Sequence, residues 1–171
     1  YKRQIMDIGN GSMGGLQDLV DPSDCDLVLS HLHPDHIADI SSLIVWRRYS
    51  HKSTNTPATV LGPSTFLEKV GEWFADDYGT RHDLTDTFDF HPWDLAAPQS
   101  LGGFTFQAFR ADHPGEAYCM RVKEDSTGAT FCFSGDTGPA NGIHSASAGV
   151  DVFLCEATWT TQPHLPEHMH M

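Results

Sequence analysis

Along the first ninety residues the hydrophobic pattern switches repeatedly between strand and helix character. Ile5-Met6-Asp7-Ile8 is a short apolar run that feeds Gly9-Asn10-Gly11-Ser12-Met13-Gly14-Gly15, which reads as a strand followed by a glycine-rich loop. Asp26-Leu27-Val28-Leu29-Ser30 reads as a buried strand. Ile37, Ile40, Ile44 and Arg48 recur at helical spacing and predict an amphipathic helix from Ile37 to Tyr49, after which Pro57 to Leu61 predicts the next strand. Thr65-Phe66-Leu67-Glu68 fits a capping box, and Phe66, Val70, Trp73 and Phe74 supply the core-facing stripe of a second helix ending near Gly79. Residues 80–100 carry few aliphatics and read as loop, with a short strand at Phe88 to His91 and with His82 and His91 on the surface.

From residue 101 the pattern becomes strand-rich. Phe104 to Phe109, Ala117 to Val122, Thr130 to Phe133 and Val150 to Leu154 are separated by Gly, Asp and Ser turns. A mixed half followed by a sheet-rich half predicts an α/β fold, and 171 residues suffice for one domain with a real core. Tyr1 runs at once into a strand-like segment and the last residues carry no stop signal, so residues 1–171 are expected to be the larger part of a single domain, incomplete at both ends.

Charge narrows the partners. Ten Lys and Arg stand against 23 Asp and Glu, a net charge of −13, which makes extended nucleic-acid binding an unfavourable reading. Arg47-Arg48 and His51-Lys52 read as solvated helix ends. The four cysteines lie far apart without a C-x-x-C, three of them in strand-like runs, and read as reduced core residues of a cytoplasmic protein. No stretch approaches the ~18 apolar residues of a membrane span.

The chemistry concentrates at Ser30-His31-Leu32-His33-Pro34-Asp35-His36, between the second strand and the helix after it. This composition predicts only roughly 0.004 chance occurrences of H-x-H-x-D-H. Imidazole nitrogen and carboxylate oxygen are the ligands of zinc and related divalent ions, and a strand-to-helix turn can aim neighbouring side chains at two adjacent points. Two metal ions are therefore expected, zinc first, with manganese or iron as alternatives. The glycines at 9–15 lack the Lys-Ser/Thr of a phosphate-binding loop and are expected to let the backbone pass close to this centre. Three later strand ends add donors: His113 in Ala111-Asp112-His113, Asp136 in Ser134-Gly135-Asp136-Thr137, and Glu156 in Glu156-Ala157-Thr158-Trp159.

Asp7-x-Gly9, His31-x-His33-x-Asp35-His36, His113 and then Asp136 in Ser-Gly-Asp-Thr resemble the metallo-β-lactamase superfamily across nearly the whole chain. The resemblance implies a four-layer αββα sandwich with a two-metal site. Asp136 stands where true β-lactamases carry cysteine, and Glu156-Ala157-Thr158 with His168-Met169-His170 downstream looks like the ribonuclease Z and phosphodiesterase branch. In that reading His31, His33 and His113 hold one metal, Asp35 and His36 the second, and Asp136 bridges them with a hydroxide that attacks the substrate. Asp7 and Glu156 orient the ligands, and His170, with His168 as the alternative, protonates the leaving group. The family's final ligand histidine is expected beyond residue 171.

The implied activity is metal-dependent hydrolysis of a small phosphodiester, such as a cyclic nucleotide or an oligonucleotide end. Residues 114–135 leave no room for the long arm with which tRNA-processing members grip their substrate. A carbon ester, either lactone or thioester, is the alternative substrate, and a non-catalytic metal-binding domain is the alternative class. The family also implies a homodimer as a possible assembly.

Overall fold

A computed structural model describes residues 3–51, 56–160 and 166–169. The chain divides into two compact units, residues 2–92 and 93–171.

The N-terminal unit is a parallel sheet of four strands in the order β1 (Arg3–Met6), β2 (Cys25–Val28), β3 (Ala58–Gly62) and β4 (Phe88–Pro92). Parallel neighbours need crossover connections. Here those are α1 (Ser12–Leu19), α2 (Pro34–Ile37) with α3 (Ile40–Tyr49), and α4 (Phe66–Trp73). Leu27 and Val60 from the strands pack with Ile37, Ile40, Leu43, Ile44, Phe66 and Val70 from the helices in one core. The predicted helical stripe is thus the buried one, and its apolar positions explain why α3 lies on the sheet.

Four local expectations are corrected. The helix predicted from Ile37 to Tyr49 is two: Ile8 donates to the carbonyl of His36 (2.7 Å) and accepts from Asp39 N–H (3.1 Å), so the backbone between α2 and α3 bonds to the chain after β1 and not along a helix. Glycines 14 and 15 lie inside α1, and only Gly9 of the glycine-rich run makes a close approach. The Thr65–Glu68 capping box does not form; Thr65 makes no side-chain cap, Glu68 pairs with Arg81, and α4 stops at Trp73, which is half exposed. Arg47 and Arg48 are not a solvated helix end. Arg47 is 5% exposed and donates to the carbonyls of Ser23 (2.9 Å) and Thr56 (2.7 Å), while Arg48 donates to Thr87 Oγ1 (2.9 Å) and pairs with Asp86. Carbonyls left outside the sheet need donors, and a guanidinium supplies several at once.

The C-terminal unit is a second sheet in the order β5 (Gln99–Leu101), β6 (Phe104–Arg110), β7 (Tyr118–Glu124), β8 (Thr130–Phe133) and β9 (Val152–Leu154). Strands β5 to β8 are antiparallel, and β9 runs parallel to β8 after the crossover helix α5 (Asn141–Ser147). Ile143 and Ala146 of α5 pack on Cys119 and Cys132. Strand β5 and helix α5 carry too few apolar positions to declare themselves in the sequence. All four cysteines are free; Cys25, Cys119 and Cys132 are buried and Cys155 half-buried. Burial pushes the Cys119 thiol up to about 12 and the Cys132 thiol up to about 11. Among the described residues no helix is long and apolar enough to cross a membrane.

Candidate metal centre

In the N-terminal unit all strands run the same way, so their carboxyl ends share one edge, where ligands meet open parallel sheets. Asp7 follows β1 at that edge with φ of 56°, a left-handed conformation that Asp tolerates better than most residues. Its Oδ1 accepts Ser30 N–H at 2.7 Å, and its Oδ2 accepts the Ser30 hydroxyl at 2.6 Å and lies 2.7 Å from His36 Nδ1. An ionised carboxylate only accepts, so His36 carries its proton on Nδ1 and offers a lone pair at Nε2. The Ser30 hydroxyl donates its one hydrogen bond to Asp7. Its 3.0 Å contact with His31 Nδ1 therefore runs from the ring to the oxygen. His31 Nε2 is buried.

One carboxylate thus sets the tautomer of two histidines, directly at His36 and through Ser30 at His31. Single ligand atoms of Asp7, His31 and His36 lie within 4.8 Å of one another. Because Asp7 is already engaged with Ser30 and His36, it orients the other two. The His31 ring stands 4.7 Å from that of His33 and 4.1 Å from that of His36. Asp35 is exposed, with Oδ2 3.6 Å from His36 Nε2. Gly9 makes this turn possible: a Cβ there would lie 2.0 Å from the Asp35 carbonyl oxygen.

In the C-terminal unit, strands β6, β8 and β9 run in one direction, which brings the residues after them to one edge. Those residues include His113, Asp136 and Glu156. Glu156 Oε1 accepts Thr137 N–H at 2.8 Å, tying down the loop that carries Asp136, and Oε2 accepts the Thr158 hydroxyl at 2.6 Å. The same Oε1 lies 3.0 Å from His168 Nδ1. Buried Ser134 receives Glu156 N–H at 2.8 Å, and buried Thr137 receives Asp112 N–H at 3.0 Å. His113 Nδ1 faces the Glu167 carbonyl at 3.3 Å, which again leaves Nε2 as the ligand nitrogen. Single ligand atoms of His113, Asp136 and His168 lie within 4.8 Å of one another.

Every predicted site residue except His170, which lies outside the described residues, is therefore at the edge of its own sheet. Sequence reasoning missed Ser30, Ser134, Thr137 and Thr158. Their hydroxyls and amides serve as relays, and only adjacency to the ligand-bearing motifs hints at them. The donor chemistry fits divalent metal ions: imidazoles that each have one ring nitrogen engaged, with carboxylates beside them.

Comparison with known proteins places the chain. The beta-lactamase superfamily domain matches residues 16–171, and the chain belongs to that superfamily. An uncharacterized protein of Mycobacterium tuberculosis is 38% identical over 167 residues, covering 98% of this chain and 61% of the relative. A ribonuclease Z of Mycobacterium avium is 28% identical over 142 residues, covering 75% of this chain and 49% of the relative. The chain thus spans about three fifths of the length of the first of these and about half of the second. The metallo-β-lactamase fold protein YhfI from Bacillus subtilis superposes with a TM-score of 0.82 at 20% identity, over 99% of this chain and 67% of that one. The fold is accordingly the α/β metallo-β-lactamase fold that the motif order implied. Members of the superfamily are mostly hydrolases and their fold usually binds divalent metals.

Proposed function

We propose that this chain forms the metal-binding part of a phosphodiesterase-like hydrolase acting on a small phosphodiester, such as a cyclic nucleotide or an oligonucleotide end. The observation that carries this reading is the Asp7–Ser30–His31/His36 network, in which a half-buried carboxylate sets imidazole tautomers as carboxylates do behind metal-binding histidines. His31, His33 and His113 would hold one ion, Asp35 and His36 a second, and Asp136 would serve both. Two divalent ions, zinc before manganese or iron, would supply an activated water at neutral pH and neutralise charge on the phosphate oxygens.

The protein's own groups do the rest. Asp7 and Glu156 keep the rings and the Asp136 loop in place, and His170 donates a proton to the departing alkoxide oxygen. The net charge of −13 and the short span between His113 and Asp136, filled by β7 and β8, favour a small substrate over a long polyanion. The free cysteines fit a reducing cytoplasm.

The test is hydrolysis of bis(p-nitrophenyl) phosphate by the metal-loaded full-length protein beside its Asp136→Ala variant, with lactone and thioester substrates in parallel. Phosphodiester turnover that the variant loses is the expected result. Ester cleavage without phosphodiester cleavage moves the protein to the carbon-ester class. Metal binding with no turnover at all makes it a binding domain.

A further inference from the structure

Strand β6 ends on a cation. Its residues alternate between faces, and Phe109 packs in the cluster under α5, so Ala108 and Arg110 lie on the opposite face of the sheet. Arg110 is exposed and is one of three Lys or Arg residues from Trp93 onward. The other two lie away from the edge that carries His113. Arg121 stands opposite Gln107 and donates to the Ala148 carbonyl at 2.7 Å, and Lys123 stands opposite Thr105. Arg110 instead stands opposite Tyr118 at the base of the His113 loop, which Ala111 N–H closes by donating to the Ala117 carbonyl at 3.0 Å. One Nη of Arg110 donates to the Gly115 carbonyl at 3.1 Å, and the guanidinium carbon is 5.2 Å from the centre of the Tyr118 ring. That ring is a fixed platform. Tyr118 is 5% exposed, its ring centre is 6.3 Å from that of Trp93, and its hydroxyl donates to Glu116 Oε1 at 2.6 Å. Burial, reinforced by the bond to Glu116, pushes the Tyr118 phenol up to about 12, so it stays neutral and leaves the Arg110 charge uncancelled.

We infer that Arg110 is a substrate-binding residue that takes an oxygen of the substrate's phosphate group. The inference rests on the phosphodiesterase reading above and adds a residue to it. A guanidinium presents five N–H groups in a fixed plane that matches paired phosphate oxygens. Stacking on Tyr118 and the bond to Gly115 set that plane in advance, so less side-chain freedom is lost when the anion arrives. Gly115 is exposed, and water would serve its carbonyl equally well. The bond therefore positions the arginine; it does not rescue a buried acceptor. Charge makes the same point at longer range. A molecule of net charge −13 repels a phosphate, and the edge that carries His113 also carries the carboxylates of Asp136 and Glu156. Arg110 is the one Lys or Arg at that edge of the C-terminal unit.

The experiment compares the zinc-loaded full-length protein with its Arg110→Gln and Arg110→Lys variants. It reads kcat and KM for bis(p-nitrophenyl) phosphate, affinity for inorganic phosphate by isothermal titration, and zinc affinity by chelator competition. Arg110→Gln is expected to raise KM and to weaken phosphate binding by about tenfold, the loss of a charge-assisted hydrogen bond, with zinc affinity unchanged. Arg110→Lys keeps the charge without the plane and is expected to fall between the two. Wild-type KM and phosphate affinity in Arg110→Gln overturn the inference. A matching loss of zinc affinity overturns it as well, because Arg110 would then only support the His113 loop, and so does a zinc-loaded wild type that binds no phosphate. If the wild type binds zinc and phosphate yet cleaves no phosphodiester, the hydrolase reading fails, and the phosphate titration still decides whether Arg110 binds the anion.

Discussion

At the residue scale, the most consequential group is one that need not touch a metal. Asp7 sits at φ 56°, which Asn tolerates as well as Asp, so Asp7→Asn removes the charge with little change in backbone preference. An amide cannot both accept from Ser30 and hold the proton on His36 Nδ1 as firmly, so metal affinity is expected to fall about 10- to 100-fold with the fold retained. Isothermal titration with zinc, beside a circular dichroism melt, checks both halves of that statement. Arg47 is the structural counterpart. Burial lowers its pKa while Asp26 works to raise it, and its guanidinium serves the Ser23 and Thr56 carbonyls. Arg47→Met is expected to cost about 3 kcal/mol in urea unfolding, because the carbonyls stay buried without their donor. The clustering of donor-type side chains was legible in the sequence, since H-x-H-x-D-H is rare by chance and the structure brings His31, His33 and His36 together beside Asp7. The hydroxyl relays were not: Ser30 differs from any other serine only in what the fold places beside it.

At the scale of elements, strands with continuous apolar runs were readable and helix interruptions were not. The stripe through Ile37, Ile40 and Ile44 is real, yet the chain breaks between α2 and α3 because the backbone at 36 and 39 bonds to Ile8 instead of along the helix. Periodicity reports which face is buried, not where the hydrogen bonds go. Strand β5 and helix α5 escaped for the opposite reason, being short and poor in apolar positions. The glycine-rich run separates the two uses of glycine cleanly. Gly9→Ala pushes a Cβ into the Asp35 carbonyl and is expected to displace the donor turn, lowering both stability and metal affinity. Gly14→Ala, inside α1 with open space around it, is expected to raise stability by roughly 0.5–1 kcal/mol and leave metal binding alone. Chemical denaturation of the two variants with and without zinc distinguishes them; equal effects would contradict the placement of Gly9.

At the scale of the whole molecule, buried thiols tie stability to alkaline pH. Desolvation, the largest cause in each case, raises Cys119 to about 12 and Cys132 to about 11 from an ordinary value of 9.0. In the unfolded chain these thiols ionise near pH 9, whereas in the folded protein they stay protonated. Below pH 9 both states bind the proton, and the contribution to stability is complete and constant. Between 9 and 11 the folded state binds more protons than the unfolded one, so stability falls as pH rises, by at most about 1.4 kcal/mol per pH unit for each thiol. Cys25 and Cys155 are raised as well and add to the same downward slope. Urea unfolding midpoints are thus expected to hold steady from neutral pH to about 9 and then decline, with Cys119→Ala flattening the decline even if it lowers stability at neutral pH through the lost packing against α5. The same protonation keeps the thiols unreactive. An electrophilic thiol reagent at pH 8 is expected to label Cys119 and Cys132 only after unfolding, and rapid labelling of the native protein at those two positions would contradict their burial between the sheet and α5.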